Sequence, residues 1–342
     1  MIFETFAAGG CRSYVVGCEA TRAGVLIDPE LSLIDRYRGH LAQTGLMLHY
    51  IVDTHTHADH FSASRELGKA LGVPVVMNRL SPAPYPDLRL DDGDMLIAGQ
   101  LKLRALHTPG HTRDSLCLAM DDRVFTGDTL LIGGTGRTDL PTGDPHALFE
   151  SLFGKLLKLD PTTLVFPAHD YKGRSHSTIG AEIETNPRLA KTERAEFVSM
   201  MQALDLAAPT HLTEALRTNI SGGKTVDQLL AEAAALTPFM SMAELSTRLG
   251  GNSRDVVVID VREKDAFDAG RIPGAKHIPR GQLELRVNAE LPDPTLRFVT
   301  CCEFGKISTL AAATLRQLGY MRAAALDGGL KAWREAGYAI EM

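Results

Sequence analysis

In the segment Asp53-Thr54-His55-Thr56-His57-Ala58-Asp59-His60, three histidines and two carboxylates fall within eight residues. Imidazole and carboxylate donors together suit Zn, Fe or Mn, and no thiolate accompanies them in this cluster. Matching donor types recur downstream in Pro109-Gly110-His111, Thr126-Gly127-Asp128 and Pro167-Ala168-His169. Each has a glycine or proline beside it that helps to fix a tight loop. A metal centre is the chemistry this pattern predicts.

Such a centre needs elements that bring distant donors together. Runs rich in β-branched and aromatic residues predict strands over Ser13–Gly17, Gly24–Asp28, Tyr50–Asp53, Val73–Met77, Leu101–His107, Leu116–Ala119 and Arg123–Thr126. Several end in the His and Asp clusters, which places those side chains at strand ends and on the following loops. Helical patterns cover Leu31–Gly45, Ser62–Leu71, Pro145–Lys158 and Arg188–Ala203. Sheets packed together with helices outside are expected. The helix Val226–Ala235 is followed by Thr237-Pro238, a plausible junction. Beyond it come helix Ser241–Leu249, strand Asp255–Asp260, helix Glu263–Ala269, strand Leu296–Thr300 and helix Ser308–Leu318. This alternation predicts a small α/β domain with a parallel sheet.

A length of 342 residues favours two domains, read as 1–235 and 239–342. Hydrophobic content of 44% and charged content of 23% describe a well-cored chain. The net charge of -6, without a basic stripe, gives no reason to expect nucleic acid or a membrane as partner. No leader-like start and no apolar run of about 18 residues is present, so a cytoplasmic location is expected. Five cysteines, an odd count, argue against a disulfide framework. Cys11, Cys18 and Cys117 read as small buried hydrophobes.

H-x-H-x-D-H with later His, Asp and His resembles the metallo-β-lactamase superfamily, whose fold is an αββα sandwich. Gly127-Asp128-Thr129-Leu130, Gly136-Arg137-Thr138-Asp139 and Pro167-Ala168-His169-Asp170-Tyr171 are similar to the glutathione-persulfide dioxygenases of that superfamily. That resemblance implies one Fe(II) per chain on His55, His111 and Asp128, a facial triad with open positions. It makes His57, Asp59, His60 and His169 supporting residues that orient the ligands. Arg137 and Tyr171 then suit the glutathione portion, with an ion pair to Asp139 or Asp144 as the competing role for Arg137. A site using all seven donors would instead hold two Zn per chain and hydrolyse thioesters, as glyoxalase II does.

Residues 239–342 resemble a rhodanese domain through Asp260-Val261-Arg262, Ala269-Gly270-Arg271-Ile272-Pro273-Gly274-Ala275 and Leu326-Asp327-Gly328-Gly329-Leu330-Lys331-Ala332-Trp333. The resemblance implies a catalytic Cys302 on the loop Glu303, Phe304, Gly305, Lys306, Ile307 and Ser308. A helix beginning about Ser308, with the backbone N–H groups of the loop, would stabilise a persulfide anion on the thiol. Cys301, one residue away on the strand, faces elsewhere. Rhodaneses commonly place a basic residue where Glu303 or Ile307 stands, and a carboxylate beside a thiolate opposes its ionisation.

The two resemblances together imply a persulfide dioxygenase–rhodanese fusion. Its expected small-molecule partners are glutathione persulfide, O₂, glutathione and thiosulfate, and a homodimer is left open. The alternative is the dinuclear Zn hydrolase with a non-catalytic or sensing rhodanese domain.

Overall fold

A computed structural model describes residues 1–207, 212–251 and 256–342. The chain forms two compact units, Met1–Gly223 and Lys224–Met342.

The first unit is built on two six-stranded mixed sheets. One runs in the order Ile2–Ala8, Cys11–Gly17, Ala23–Ile27, Met47–Val52, Val75–Asn78, Leu88–Leu90. The other runs Ser177–Thr178, Leu164–Pro167, Arg123–Gly127, Leu116–Ala119, Leu101–His107, Met95–Ala98. Between them pack Tyr14, Val16, Val25, Ile27 and Val52 from one sheet against Leu103, Leu116, Leu118, Phe125 and Phe166 from the other. Alternate residues of the same strands face outward. Val15, Leu26 and Ile51 bury against Tyr37 and Leu41 of helix Ile34–Thr44 and Leu67 of helix Ser64–Leu71. Val124 and Val165 bury against Leu148, Leu152, Ile179 and Phe197 on the opposite side. Both sheet faces are covered, which explains strands that are apolar at every position rather than at every second one. The layers are the expected αββα sandwich.

The second unit has a five-stranded, wholly parallel sheet in the order Phe239–Met240, Ala324–Leu326, Arg297–Cys301, Val256–Asp260, Lys276–His277. Ile259 and Phe298 pack with Leu283, Val287 and Leu315 on one face, while Val258 and Val299 pack with Leu245, Leu330 and Trp333 on the other. Helix Val226–Leu236 lies in this unit and packs on helix Lys306–Gln317. Of the expected strand Asp255–Asp260, Asp255 lies outside the described residues.

Several elements differ from the sequence expectation. The strands Ile2–Ala8, Leu88–Leu90, Met95–Ala98 and Leu164–Pro167 carried no separate signal, being short or, for the first, mixed in burial. The helix expected over Arg188–Ala203 starts only at Arg194. Pro187 stops the preceding helix Ile179–Thr185, and Asn186 turns the chain by accepting the Arg188 N–H. The helix expected over Pro145–Lys158 is α-helical only to Phe149, then continues as a wider π-wound turn, Glu150–Lys155. That turn lets the Ser151 hydroxyl donate to the Pro109 carbonyl at 2.6 Å, two residues before His111.

Candidate metal centre and thiol loop

The seven donors all lie near the same end of the sandwich, and the structure sorts them into three groups. Donor atoms of His55, His111 and Asp128 lie within 4.8 Å of one another. Asp59, His60 and His169 form a second such group together with Cys11. His57 joins Asp28 and Asp53 in a third.

Hydrogen bonds determine what each ring offers. The Thr54 hydroxyl donates to Asp28 Oδ2 at 2.9 Å, so at 3.0 Å it can only accept from His55 Nδ1–H. His55 Nε2 is thereby left as a lone pair, and it is buried without a hydrogen-bond partner. His111 Nδ1 faces the Arg137 carbonyl at 2.8 Å, which only accepts, so its Nε2 is likewise a lone pair. That Nε2 lies 3.6 Å from Asp128 Oδ2. Burial, reinforced by His57 and His111, pushes the His55 imidazole down to about 3, keeping it in the neutral, ligating form. Two lone pairs and one carboxylate oxygen converging in a buried site fit a metal ion.

Of the remaining donors, His169 and His57 are engaged by carboxylates, while neither ring nitrogen of His60 has a hydrogen-bond partner. His169 Nδ1 donates to Asp128 Oδ1 at 2.6 Å, and its Nε2 sits 2.5 Å from Asp59 Oδ2 in an ionic contact rather than an aligned hydrogen bond. Burial opposes charge on His169, but the two carboxylates outweigh it and hold the ring well above the ordinary range. The same contest, decided by Asp59 and Cys11, raises His60 to about 10. His57 Nε2 is spent on Asp28 Oδ1 at 3.1 Å. His55, His111 and Asp128 thus form one candidate set for an ion, with His57 turned to Asp28 and Asp59 joined to Asp128 through His169.

Three residues of this region carried no signal of their own in the sequence. Asp28 takes the Thr54 N–H, the Thr54 hydroxyl and His57, from a strand end where its φ is 48°. Thr54 sets the His55 tautomer. Cys11 is no ordinary core thiol, since its Sγ lies 3.6 Å from Asp59 Oδ2. The hairpin Gly9-Gly10 immediately before Cys11 was the available hint. Cys18 and Cys117 are buried as expected, and all five cysteines are free thiols.

Arg137 forms a bidentate pair with Asp139, both contacts at 2.6 Å, and donates to the Leu206 and Ala207 carbonyls. Tyr171 is 78% exposed, its ring stacked 5.9 Å from His169.

In the second unit, strand Arg297–Cys301 delivers Cys302 to a loop that runs directly into helix Lys306–Gln317. The helix starts two residues earlier than expected, so Ser308 is inside its first turn and donates its N–H to Cys302 Sγ at 3.2 Å. Gly328-Gly329 brace the loop from behind. Leu330 N–H donates to the Cys302 carbonyl at 2.8 Å and Lys331 N–H to the Glu303 carbonyl at 3.0 Å. A Cβ on Gly329 would fall 2.6–2.8 Å from the Gly305 nitrogen and the Cys302 and Glu303 carbonyls, at a φ of 68°. Only glycine fits there. Cys301 is fully buried on the opposite face, where burial and Asp260 push its thiol well up. Glu303 is not a bare carboxylate: Arg262 Nη1 lies 3.4 Å from its Oε2 and Arg334 contacts its Oε1.

Comparison with known proteins identifies the families to which the two parts of the chain are similar. The metallo-beta-lactamase superfamily matches residues 7–169 and the rhodanese-like domain residues 241–336. The persulfide dioxygenase ETHE1 of Homo sapiens is 39% identical over 227 residues, covering 65% of this chain and 89% of that protein. The crystal structure of ETHE1 from Myxococcus xanthus superposes with a TM-score of 0.64 at 41% identity, covering 66% of this chain and all of that one. A metallo-beta-lactamase from Staphylococcus aureus shares the fold over 96% of this chain and 98% of its own, at a TM-score of 0.61 and 23% identity. The fold and site define a metallo-beta-lactamase superfamily domain joined to a C-terminal rhodanese-like domain. Within that superfamily, the chain belongs to the family of the ETHE1 persulfide dioxygenases.

Proposed function

We propose that this chain oxidises glutathione persulfide with O₂ at one Fe(II) held by His55, His111 and Asp128. In the balanced reaction, GSSH, O₂ and H₂O give GSH, sulfite and two protons. One observation carries the assignment: donor atoms of His55, His111 and Asp128 lie within 4.8 Å of one another, while Asp128 Oδ1 is taken by His169. Held by these two imidazoles and one carboxylate, Fe(II) would supply the redox chemistry for oxidising the persulfide sulfur with O₂. The protein's own part is to fix both imidazole tautomers through Thr54 and the Arg137 carbonyl, and to hold His169 between the carboxylates of Asp128 and Asp59. Tyr171 offers its phenol to the glutathione portion. Arg137 would receive a glutathione carboxylate by exchanging it for Asp139, which already shows the bidentate geometry.

The first activity is proposed for residues 1–235, of which those from Lys224 onward belong to the second compact unit, and the second for residues 239–342, both acting on small molecules in the cytoplasm. No helix among the described residues is long and apolar enough to cross a membrane. Cys302 carries sulfane sulfur as a persulfide, linking glutathione persulfide with thiosulfate or glutathione. The similarity to proteins named persulfide dioxygenase supports the first activity, and the rhodanese-like match supports the second. Oxygen-electrode turnover of Fe-loaded protein with glutathione persulfide tests the reading. Absence of oxygen uptake with about one Fe per chain overturns it.

A second reading has one observation in its favour. Cys11, Asp59, His60 and His169 are within mutual reach of a second ion, and both His60 ring nitrogens are buried without hydrogen bonds. It predicts about two Zn per chain and thioester hydrolysis instead.

A further inference from the structure

At the mouth of the Cys302 loop all but one of the cations are paired with carboxylates. Arg262 is bound at two points to Asp260, Nε to Oδ1 at 3.0 Å and Nη2 to Oδ2 at 2.7 Å, and donates to the Gly270 carbonyl at 2.7 Å. Its remaining Nη1 and the guanidinium of Arg334 both go to Glu303. Lys331 lies 3.8 Å from Glu335 and over the Phe304 ring. Among the described residues, Lys306 is the loop cation without an ion pair. Three carboxylates thus stand against four cations, and one positive charge remains. The loop itself projects two apolar side chains, Phe304 at 67% and Ile307 at 49% exposure.

An inorganic dianion such as thiosulfate approaching a thiolate needs unpaired cations to offset the repulsion. An organic persulfide brings one charge at the reacting end, and carbon that an apolar rim can cover. We infer that the Cys302 loop takes sulfane sulfur from organic persulfides, which bring a single charge at the reacting end, in preference to compact inorganic dianions, and that Glu303 sets the choice by occupying Arg262 and Arg334. This rests on the sulfur-carrier role proposed for Cys302.

In the step, the Cys302 thiolate attacks the outer sulfur of RSS⁻. A new S–S bond forms at Cys302, the donor's S–S bond breaks, and RS⁻ leaves with the electron pair and takes a proton from water. No net oxidation occurs. The backbone N–H groups at the start of helix Lys306–Gln317 hold the terminal sulfur of the resulting Cys302 persulfide.

The test is anaerobic single-turnover loading of the reduced full chain, with Cys302 read by mass spectrometry after alkylation as the thiol or the one-sulfur adduct. Donors are glutathione persulfide and thiosulfate at equal concentration. Wild type is expected to load at least about tenfold faster from glutathione persulfide, the scale of electrostatic steering. Glu303→Arg is expected to raise the thiosulfate-to-persulfide rate ratio at least about tenfold, with Glu303→Gln intermediate and isosteric. Equal or faster wild-type loading from thiosulfate overturns the inference, as does an unchanged ratio in both variants with unaltered melting. If neither donor loads Cys302 while oxygen uptake proceeds, the carrier role fails together with this inference, and the dioxygenase reading stands.

Discussion

Gly136 is where the metal centre is most exposed to a single methyl group. An ideal Cβ at this position would lie 1.9 Å from the Asp128 carbonyl oxygen and 2.9 Å from His111 Cβ. Gly136→Ala must therefore open the contact by about 1 Å, displacing the backbone of one donor or the ring of another. The segment cannot retreat freely, because the next carbonyl, that of Arg137, is the one that orients His111 Nδ1. Overpacking of about 1–3 kcal/mol plus an orienting hydrogen bond of about 1 kcal/mol gives a loss of about 3 kcal/mol. For a unit of this size that is about 6–12 °C in Tm, present with or without metal. Misdirecting one ligand should also weaken metal affinity about 10–100-fold. The assays are thermal melting of chelated and metal-loaded protein, and metal titration with elemental analysis. Gly134→Ala is the control, since its Cβ would meet nothing nearer than 3.8 Å. If Gly136→Ala binds metal within about twofold of wild type and melts within about 1 °C of it, the close-approach argument is wrong.

Asp28→Ala removes the acceptor that makes Thr54 an acceptor for His55; an affinity loss of about 10–100-fold in metal titration is expected, with Asp28→Asn milder. Gly329→Ala should destabilise the rhodanese-like unit by about 3 kcal/mol in denaturant, from backbone overlap and left-handed strain, and abolish Cys302 loading. Asp170 is buried and, although burial opposes its charge, the Arg174 backbone and guanidinium hold its carboxyl below the usual range. Its contribution is fully present above the ordinary Asp value of about 3.9 and fades as pH falls through the lower folded value. The Tm gap between wild type and Asp170→Asn should accordingly be widest near neutrality and shrink toward about pH 2; a gap that widens in acid contradicts this sign.

What the sequence determined by itself was local. Three imidazoles and a carboxylate within six residues, His55 to His60, announce a metal site because close chain spacing holds the donors together after a strand. The Val256–Asp260 run announced a parallel strand because both of its faces are buried. Gly328-Gly329 stood out in the sequence only as part of a family resemblance, and the backbone contact that excludes a side chain at Gly329 emerges in the fold. Which donors face one another was decided by tertiary structure alone. His55 and His57 are two residues apart, yet one meets His111 and Asp128 while the other meets Asp28, from a strand 29 residues earlier. The sign of the field at Cys302 was decided the same way. Read along the chain, Glu303 sets a bare carboxylate beside the thiol. In the fold, its charge is met by Arg262 and Arg334, 41 and 31 residues away. Coulomb interactions depend on separation in space, and only packing of the sheet and its helices sets that separation.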